Sequence, residues 1–351
     1  MGFQLLKDHH EQIKHIHLLV LPSEMETAME ELSRYPDGLF TLIPGDITKD
    51  NLGIEEGLTK ELQKSVTHVF HLAALYDLAV SEKLAWQVNV EGTRNVTKWV
   101  QKLQQLKRYI YFSTAYVSGT REGKIYETEL DMGQSFKNHY EETKFKAELI
   151  VEAAKSELPT TIIRPGIVRG NSKTGETIKF DGIYFMLNLF DRLSFLPIVP
   201  YLGDGHVEGN FVPEDYVLQA TSFLSFQDVA VGKTYHLTDP HPYTMRELYT
   251  MLAHAYLGRK PKGQVSLSLA GLPMQSPAVE KWLKVEKEAL EYFTIRSSYD
   301  CSLALKDLEG SGIRCPDFKE TIGPMIDFYR KYKDDLTKHI IYKLENRTKQ
   351  C

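Results

Sequence analysis

Two short stretches hold the residues best suited to proton chemistry. In "NHYEETKFKAE", Tyr140 and Lys144 stand four apart in a helical pattern, so both side chains project from one helix face. An ammonium beside a phenol favours the ionised phenol, which suits it to exchange a proton with a carbonyl or an alcohol near neutral pH. The spacing alone is weak, because it recurs as Tyr256 with Lys260 and as Tyr329 with Lys333, and both of those pairs read as surface helix residues. Tyr140 differs in being preceded by "YFSTAYVSG", a strand that ends in Ser113 and Thr114. A hydroxyl there lies at the strand's carboxyl edge, where open parallel sheets bind their ligands.

Apolar runs of strand length must position these groups. They fall at 15–21, 39–47, 67–74, 108–115 and 160–168, and they read as strands buried on both faces. Between them lie patterns with apolar residues at helical spacing and acidic residues toward their starts, as in "IEEGLTKELQKS". This alternation predicts an α/β fold with a doubly wound parallel sheet. In such a sheet the first strand is central, and the turn after it carries glycines that let the backbone approach a dinucleotide pyrophosphate. Here the chain opens "MGFQLLKDHHEQIKHIHLLVLP", with Phe3, Leu6, His10 and Ile13 on one helical face. Residues 3–13 therefore read as the first crossover helix, Gly2 as the last glycine of the fingerprint, and the first strand as missing. Either Met1 stands where an internal Leu belongs, through a misplaced start, or the fold is truncated.

Bulk properties exclude several classes. The net charge of −5 gives no basic footprint for nucleic acid. Cys301, Cys315 and Cys351 are odd in number and lack paired spacing, so neither a metal site nor a disulfide framework is expected, and a reducing cytoplasm fits. The most apolar stretch, "YFMLNLFDRLSFLPIVPYL", is interrupted by Asp191 and Arg192 and reads as a core helix, not a transmembrane segment.

The motifs "GDI", "HLAA", "NVEGTRN", "FSTAYVSG", "HYEETK" and "TIIRPGIVRG", in this order, resemble the extended short-chain dehydrogenase/reductase family. More narrowly, "GDITKDNLGI", "STAYVSGTREG", "NHYEETKFKAE" and "SKTGETIKFDGIYF" resemble the branch of thioester reductases and fatty acyl-CoA reductases. The match runs from Gly2 to about Asp239. It implies a Rossmann-type cofactor domain that binds NADP or NAD. By this resemblance Asp46, next to Ile47, would bind the adenine amino group, a reading preferred over that of a turn-forming Asp after a strand. Ala73 and Ala74 would line the cofactor, or simply pack the strand. Asn89 would hold backbone or water near Lys144. Lys144 would bind the nicotinamide ribose, Tyr140 would donate the proton, and Thr114 would bond the reacting oxygen, with Ser113 as its alternative. Pro165, Gly166 and Ile167 would pass beside the nicotinamide. The branch usually places an Arg after the second strand to pair with the 2′-phosphate of NADP; here Leu21 stands there, which weakens the expected NADP preference.

The resemblance assigns 1–168 and 212–240 to the cofactor domain and 169–211 and 241–335 to a mostly helical substrate region, with 336–351 as a polar tail. Phe180, Asp181 and Tyr184 are candidates for the substrate pocket, though an amphipathic helix start explains them equally well. The expected activity is NAD(P)-dependent reduction of an acyl thioester, a small-molecule substrate on CoA or on a carrier protein, with a homodimer among the expected partners. A nucleotide-sugar epimerase or a hydroxysteroid-type dehydrogenase would use the same three residues, and a non-catalytic NAD(P)-binding protein is the rival from another class. A sugar 4,6-dehydratase is disfavoured, since Ala115 follows Thr114 where an acidic residue would be needed.

Overall fold

The computed structural model describes residues 1–33, 35, 38–76, 81–285 and 287–339. Cys351 and the tail beyond 339 lie outside them. Helix α1 (Gly2–His9) leads into β1 (Ile16–Val20), α2 (Met25–Leu32), β2 (Phe40–Pro44), α3 (Glu56–Ser65) and β3 (His68–His71). Next come α4 (Glu82–Ala85), a π-helical turn (Trp86–Glu91), α5 (Gly92–Val100), β4 (Arg108–Phe112), β5 (Gly123–Ile125) and α6 (His139–Ala154). The chain continues through β6 (Thr160–Pro165), β7 (Ile167–Arg169), α7 (Tyr184–Arg192), β8 (Tyr201–Leu202), β9 (Phe211–Pro213), α8 (Glu214–Ser225) and β10 (Thr234–Leu237). It ends with α9 (Met245–Leu257), β11 (Gln264–Val265), α10 (Leu267–Gly271), α11 (Pro277–Leu283), β12 (Ser297–Tyr299), α12 (Ser302–Asp307) and α13 (Phe318–Tyr332).

The central strands are all parallel, in the order β10-β6-β4-β3, with β2-β1 as a separate parallel pair. Among the described residues β1 pairs only with β2, and β3 only with β4, so each has one ladder edge without a strand partner. Helix α1 touches both blocks. A Cβ on Gly2 would lie 3.1 Å from the Phe40 ring, while His9 stacks on Phe226 just past α8. The expectation of strands buried on both faces holds for β4, β6 and β10, where Tyr109, Ile110, Tyr111, Ile162, Ile163, Tyr235 and Leu237 are inaccessible to solvent. It fails for β1, β2 and β3, whose residues are mostly half-buried, because neighbours cover fewer of their edges and faces.

Both faces of the four-stranded sheet are covered, as double winding requires. One core packs Val96, Trp99, Val100, Ala147 and Val151 of α5 and α6 on Tyr109, Tyr111 and Ile162. The other packs Tyr216, Ala220 and Leu224 of α8 on Ile110, Ile163, Tyr235 and Leu237. A third core, mostly helical, joins α7, α9 and α13. Two boundaries differ from those read in the sequence. Residues 297–308 pack on the sheet side: β12 pairs with β5 in a separate two-stranded ladder, Cys301, Ala304 and Leu308 enter the α8 core, and Asp307 takes hydrogen bonds from Lys233 and the Tyr235 hydroxyl. Likewise the polar tail does not begin at 336, since Phe180 N–H bonds the Lys338 carbonyl and His339 is buried against the Lys284 ammonium. No helix among the described residues is long and apolar enough to cross a membrane.

Candidate active site

Helix α6 starts where its sequence caps it. The Asn138 side chain accepts from Glu141 N–H at 2.9 Å, and Glu141 and Glu142 place negative charge in the first turn. Tyr140, Lys144 and Glu148 then follow at four-residue steps along one face. The end of β4 is held on β6 by Ser113 N–H to the Ile163 carbonyl at 2.7 Å. These two ends meet in one cavity of about 290 Å³, lined by Ser113, Thr114, Tyr140, Pro165, Gly166 and Ile167. Tyr76, Tyr116, Lys137, Asn138, Glu141, Val168, Asp181, Glu291 and Ile295 complete its wall.

Lys144 and Asn89 are buried and do not line the cavity. Lys144, only 3% exposed, donates to the Phe112 carbonyl at 2.6 Å and the Tyr111 hydroxyl at 3.0 Å. Burial pushes its ammonium down to about 7, and the Glu148 carboxylate opposes that fall. Asn89 sits in the π-helical turn, a distortion common at functional sites. Its Oδ1 accepts from Leu75 N–H at 2.7 Å, and its Nδ2 donates to the Leu75 carbonyl and to Thr143 Oγ1. Asn89 thereby holds the loop that presents Tyr76, whose ring stands edge-on to Tyr140 at 5.0 Å.

The two hydroxyls at the end of β4 differ. Ser113 Oγ donates to Glu148 Oε2, so its proton points away from the cavity. Thr114 Oγ1 accepts from Tyr116 N–H at 3.3 Å, which leaves its own proton to donate. Behind Ser113, Glu148 Oε1 takes both Arg164 Nε at 2.8 Å and Nη2 at 2.6 Å. Arg164 Nη1 donates to the Glu129 carbonyl and to His236 Nε2, and His236 Nδ1 faces the Asp300 carbonyl at 2.7 Å. Donating at Nδ1 and accepting at Nε2 keeps that imidazole neutral; burial and Arg164 push it down to about 3. Glu127, buried and accepting from three backbone N–H groups, is raised by its desolvation to about 7.

The remaining sequence candidates lie apart from this cavity. Asp46 Oδ1 accepts from Thr48 N–H and Oγ1, so the carboxylate does form a turn, and a ligand would have to use Oδ2. Ile47 is a packing residue: its side chain meets Gly92 of α5, and its carbonyl takes Asn95 Nδ2. Ala73 and Ala74 are exposed at the end of β3, contrary to plain strand packing, and Leu21 is 48% exposed at the end of β1. Gly2 packs α1 on β2. Phe180 and Tyr184 are core residues, the first against Tyr329 and the second bonding Gly170 N–H, so only Asp181 of that trio reaches the cavity. Tyr329 is likewise buried and not a surface residue, because its hydroxyl bonds Asn188 inside the helical core. Tyr256 bonds Asp191, as does Lys333. Among the described residues no cluster of three metal-ligating side chains occurs.

A nicotinamide dinucleotide fits the residues present. Exposed Ala73 and Ala74 offer small side chains at the carboxyl end of β3, Asp46 lies at that of β2, and Pro165 and Gly166 wall the cavity beside Tyr140. A parallel doubly wound sheet with Thr at one strand end and a Tyr/Lys pair on the following helix is the extended short-chain dehydrogenase/reductase arrangement. Residues 3–221 match the NAD-binding family described as "Male sterility protein", and the chain belongs to that family.

Its relatives include the non-canonical nonribosomal peptide synthetase cpsA of Aspergillus campestris, 27% identical over 259 residues, which are 70% of this chain and 23% of that one. Fatty acyl-CoA reductase wat of Drosophila melanogaster is 27% identical over 218 residues, 55% of this chain and 42% of that one. The alcohol-forming fatty acyl-CoA reductase of Simmondsia chinensis is 24% identical over 286 residues, 63% of this chain and 56% of that one. The chain thus spans less than two thirds of the length of each. Among solved structures, the terminal R domain of the myxalamid PKS-NRPS pathway superposes with a TM-score of 0.78 at 23% identity, covering 95% of this chain and 88% of that domain. UDP-glucuronic acid 4-epimerase from Bacillus cereus, in complex with NAD, gives 0.63 at 17% identity over 95% and 94% of the two chains. These likenesses show the fold.

Proposed function

We propose that this protein reduces an acyl thioester with a nicotinamide cofactor, releasing a thiol and an aldehyde or alcohol. The observation that carries the reading is Thr114 and Tyr140 lining one cavity, with Lys144 buried one helical turn from Tyr140 on α6. The family and its fatty acyl-CoA reductase relatives support the thioester as substrate class. The bound cofactor supplies the hydride.

The chain's own groups manage the substrate oxygen. Thr114 Oγ1 and the Tyr140 hydroxyl are donors aimed at the atom that gains negative charge, and such donors act most strongly in a site closed to water. Tyr140 holds a proton for the leaving group: as the oxygen re-forms a carbonyl and the C–S bond breaks, the departing thiolate takes it, and in a further reduction of the aldehyde to an alcohol the oxygen takes it instead. The Lys144 ammonium, one turn along α6, favours the phenolate left behind. Lys137, Glu141, Asp181 and Glu291 add charged side chains to a cavity wall that is otherwise largely apolar, as small-molecule sites commonly are. At the end of β1, Leu21 supports weaker selection for NADP than an Arg there would give. A panel of acyl-CoA thioesters, assayed for free thiol and carbonyl product with each cofactor, tests the reading. Thiol release dependent on cofactor supports it, and turnover of nucleotide sugars or hydroxysteroids alone would overturn it.

A further inference from the structure

We infer that Glu148 is a positioning residue for this site: its buried carboxylate, clamped by Arg164, fixes Ser113 at the end of β4 and keeps Lys144 in its ammonium form. The inference rests on the proposed role of Tyr140 and Lys144, and it assigns work to a residue that touches neither cavity nor cofactor edge.

Glu148 is wholly buried, and both of its oxygens are engaged. Oε1 binds Arg164 at the end of β6, and Oε2 takes the Ser113 proton at the end of β4. One carboxylate therefore links the two strand ends that form the cavity wall, Ser113–Thr114 on one side and Pro165–Gly166 on the other. A buried ion pair by itself is weak evidence of stabilisation, because a matched apolar pair often serves as well. The third partner, Ser113, and the position one turn from Lys144 are what a merely structural pair does not need.

The charge argument is separate. The titratable groups around Lys144 are Tyr140 and Glu148 on its own helix, Tyr111 on β4 and His71 on β3. His71 is pushed down to about 3 by burial and by Lys144, and burial holds Tyr111 as a neutral phenol. Glu148 is thus the carboxylate among them. Arg164, bonded to Glu148 Oε1, offsets part of that carboxylate's charge. With Glu148 neutralised, burial would act on Lys144 without its opposing anion, and the ammonium would lose its proton at lower pH.

The test follows the lysine itself. Lysine labelled with ¹³C next to Nζ, with the Lys144 signal assigned from Lys144→Arg, is titrated in wild type and in Glu148→Gln. The expected result is a midpoint near 7 in wild type that falls by roughly one pH unit or more in the variant, the size typical of losing a nearby opposite charge. An unchanged midpoint would overturn the electrostatic half. If Glu148→Gln does not fold, Glu148→Gln with Arg164→Met removes both members of the pair; the midpoint should still fall, by less than in the single variant because the opposing guanidinium leaves with the carboxylate, and no fall at all would overturn the electrostatic half. Ser113→Ala tests the positioning half while leaving the ion pair intact. It should leave the Lys144 midpoint in place, lower kcat on an acyl thioester by roughly tenfold, the scale of one lost hydrogen bond, and spare KM. Full kcat in that variant would overturn it. Because the titration needs no substrate, a wild type inactive on every thioester would defeat the proposed function without touching the Glu148 result.

Discussion

The two ends of the site are built differently. Around β4, β6 and α6, Lys144, Glu148, Arg164, Asn89 and His236 are each 3% exposed or less and held by hydrogen bonds to named partners. Along β1 and β3 the corresponding positions are open, with Leu21 and Leu72 about half exposed and Ala73 and Ala74 in solvent. The chemical end is set by packing that does not depend on a ligand. The end proposed to take the cofactor presents small and exposed groups. Stability and catalysis should therefore respond together at the buried residues of the first end, and separately at the half-buried Tyr140 and at the second end.

The largest break is expected from Tyr140→Phe. Deleting one hydroxyl from a half-buried ring should lower turnover by about 10²–10⁴, the usual worth of a positioned proton donor. Melting should move little. Retained turnover with an unchanged fold would remove Tyr140 from the chemistry.

Arg164→Met comes next, because it strands the Glu148 charge in the interior. Losing one member of a buried pair costs about 3–5 kcal/mol. At the open end, Ala73→Ser should change stability by no more than about 0.5 kcal/mol. Denaturant midpoints of the two variants check the contrast, and similar losses in both would erase it.

A pH dependence of stability should come from the buried end. His71 and His236 are held neutral, each pushed down to about 3 mainly by burial. Unfolded histidine takes up its proton near 6.5, so between about 6.5 and 3 the unfolded chain binds more protons than the folded one. The contribution of these two imidazoles should be complete above 6.5 and be lost as pH drops below it, against a smaller opposite contribution from Glu127, whose raised value of about 7 favours the folded state as pH falls. Melting temperatures between pH 8 and pH 4 measure this, and a flat profile would mean that neither imidazole is excluded from water as described.

The smallest effect is expected from Leu21→Arg. A guanidinium at the exposed end of β1 should tighten NADP relative to NAD by up to about tenfold, since a partly solvated ion pair is worth roughly 1 kcal/mol. Titrating both cofactors against both proteins checks it. Strong NADP selection by the wild type would mean that another basic residue already contacts the phosphate.

Much of this was legible in the sequence, for identifiable reasons. Period and composition located β1 to β4 and β6, because parallel strands and crossover helices carry opposite periodicities. Tyr140, Lys144 and Thr114 stood out by spacing and context. Glu148 was passed over, although it continues the four-residue step from Lys144. Arg164 was quoted only as part of a motif, although a charge inside "TIIRPG" must find a partner when the strand is buried. The cavity wall supplied by Tyr76, Glu291 and Ile295 had no sequence signal, because segments distant in the chain converge there. Phe180 and Tyr184 misled for the converse reason: aromatic residues at a helix start look alike in a pocket and in a core. The return of 297–308 to the sheet side depends on long-range pairing of β12 with β5, which no local pattern encodes.

The central claim is thioester reduction through Tyr140. Its most direct test incubates the full chain with acyl-CoA thioesters and reduced cofactor, and quantifies free thiol, aldehyde or alcohol, and oxidised cofactor together. The expected result is thiol release matched by carbonyl or alcohol product and by cofactor oxidation, all abolished in Tyr140→Phe. Thiol release that persists in Tyr140→Phe, or none from any thioester while another carbonyl or hydroxyl substrate turns over, would contradict it.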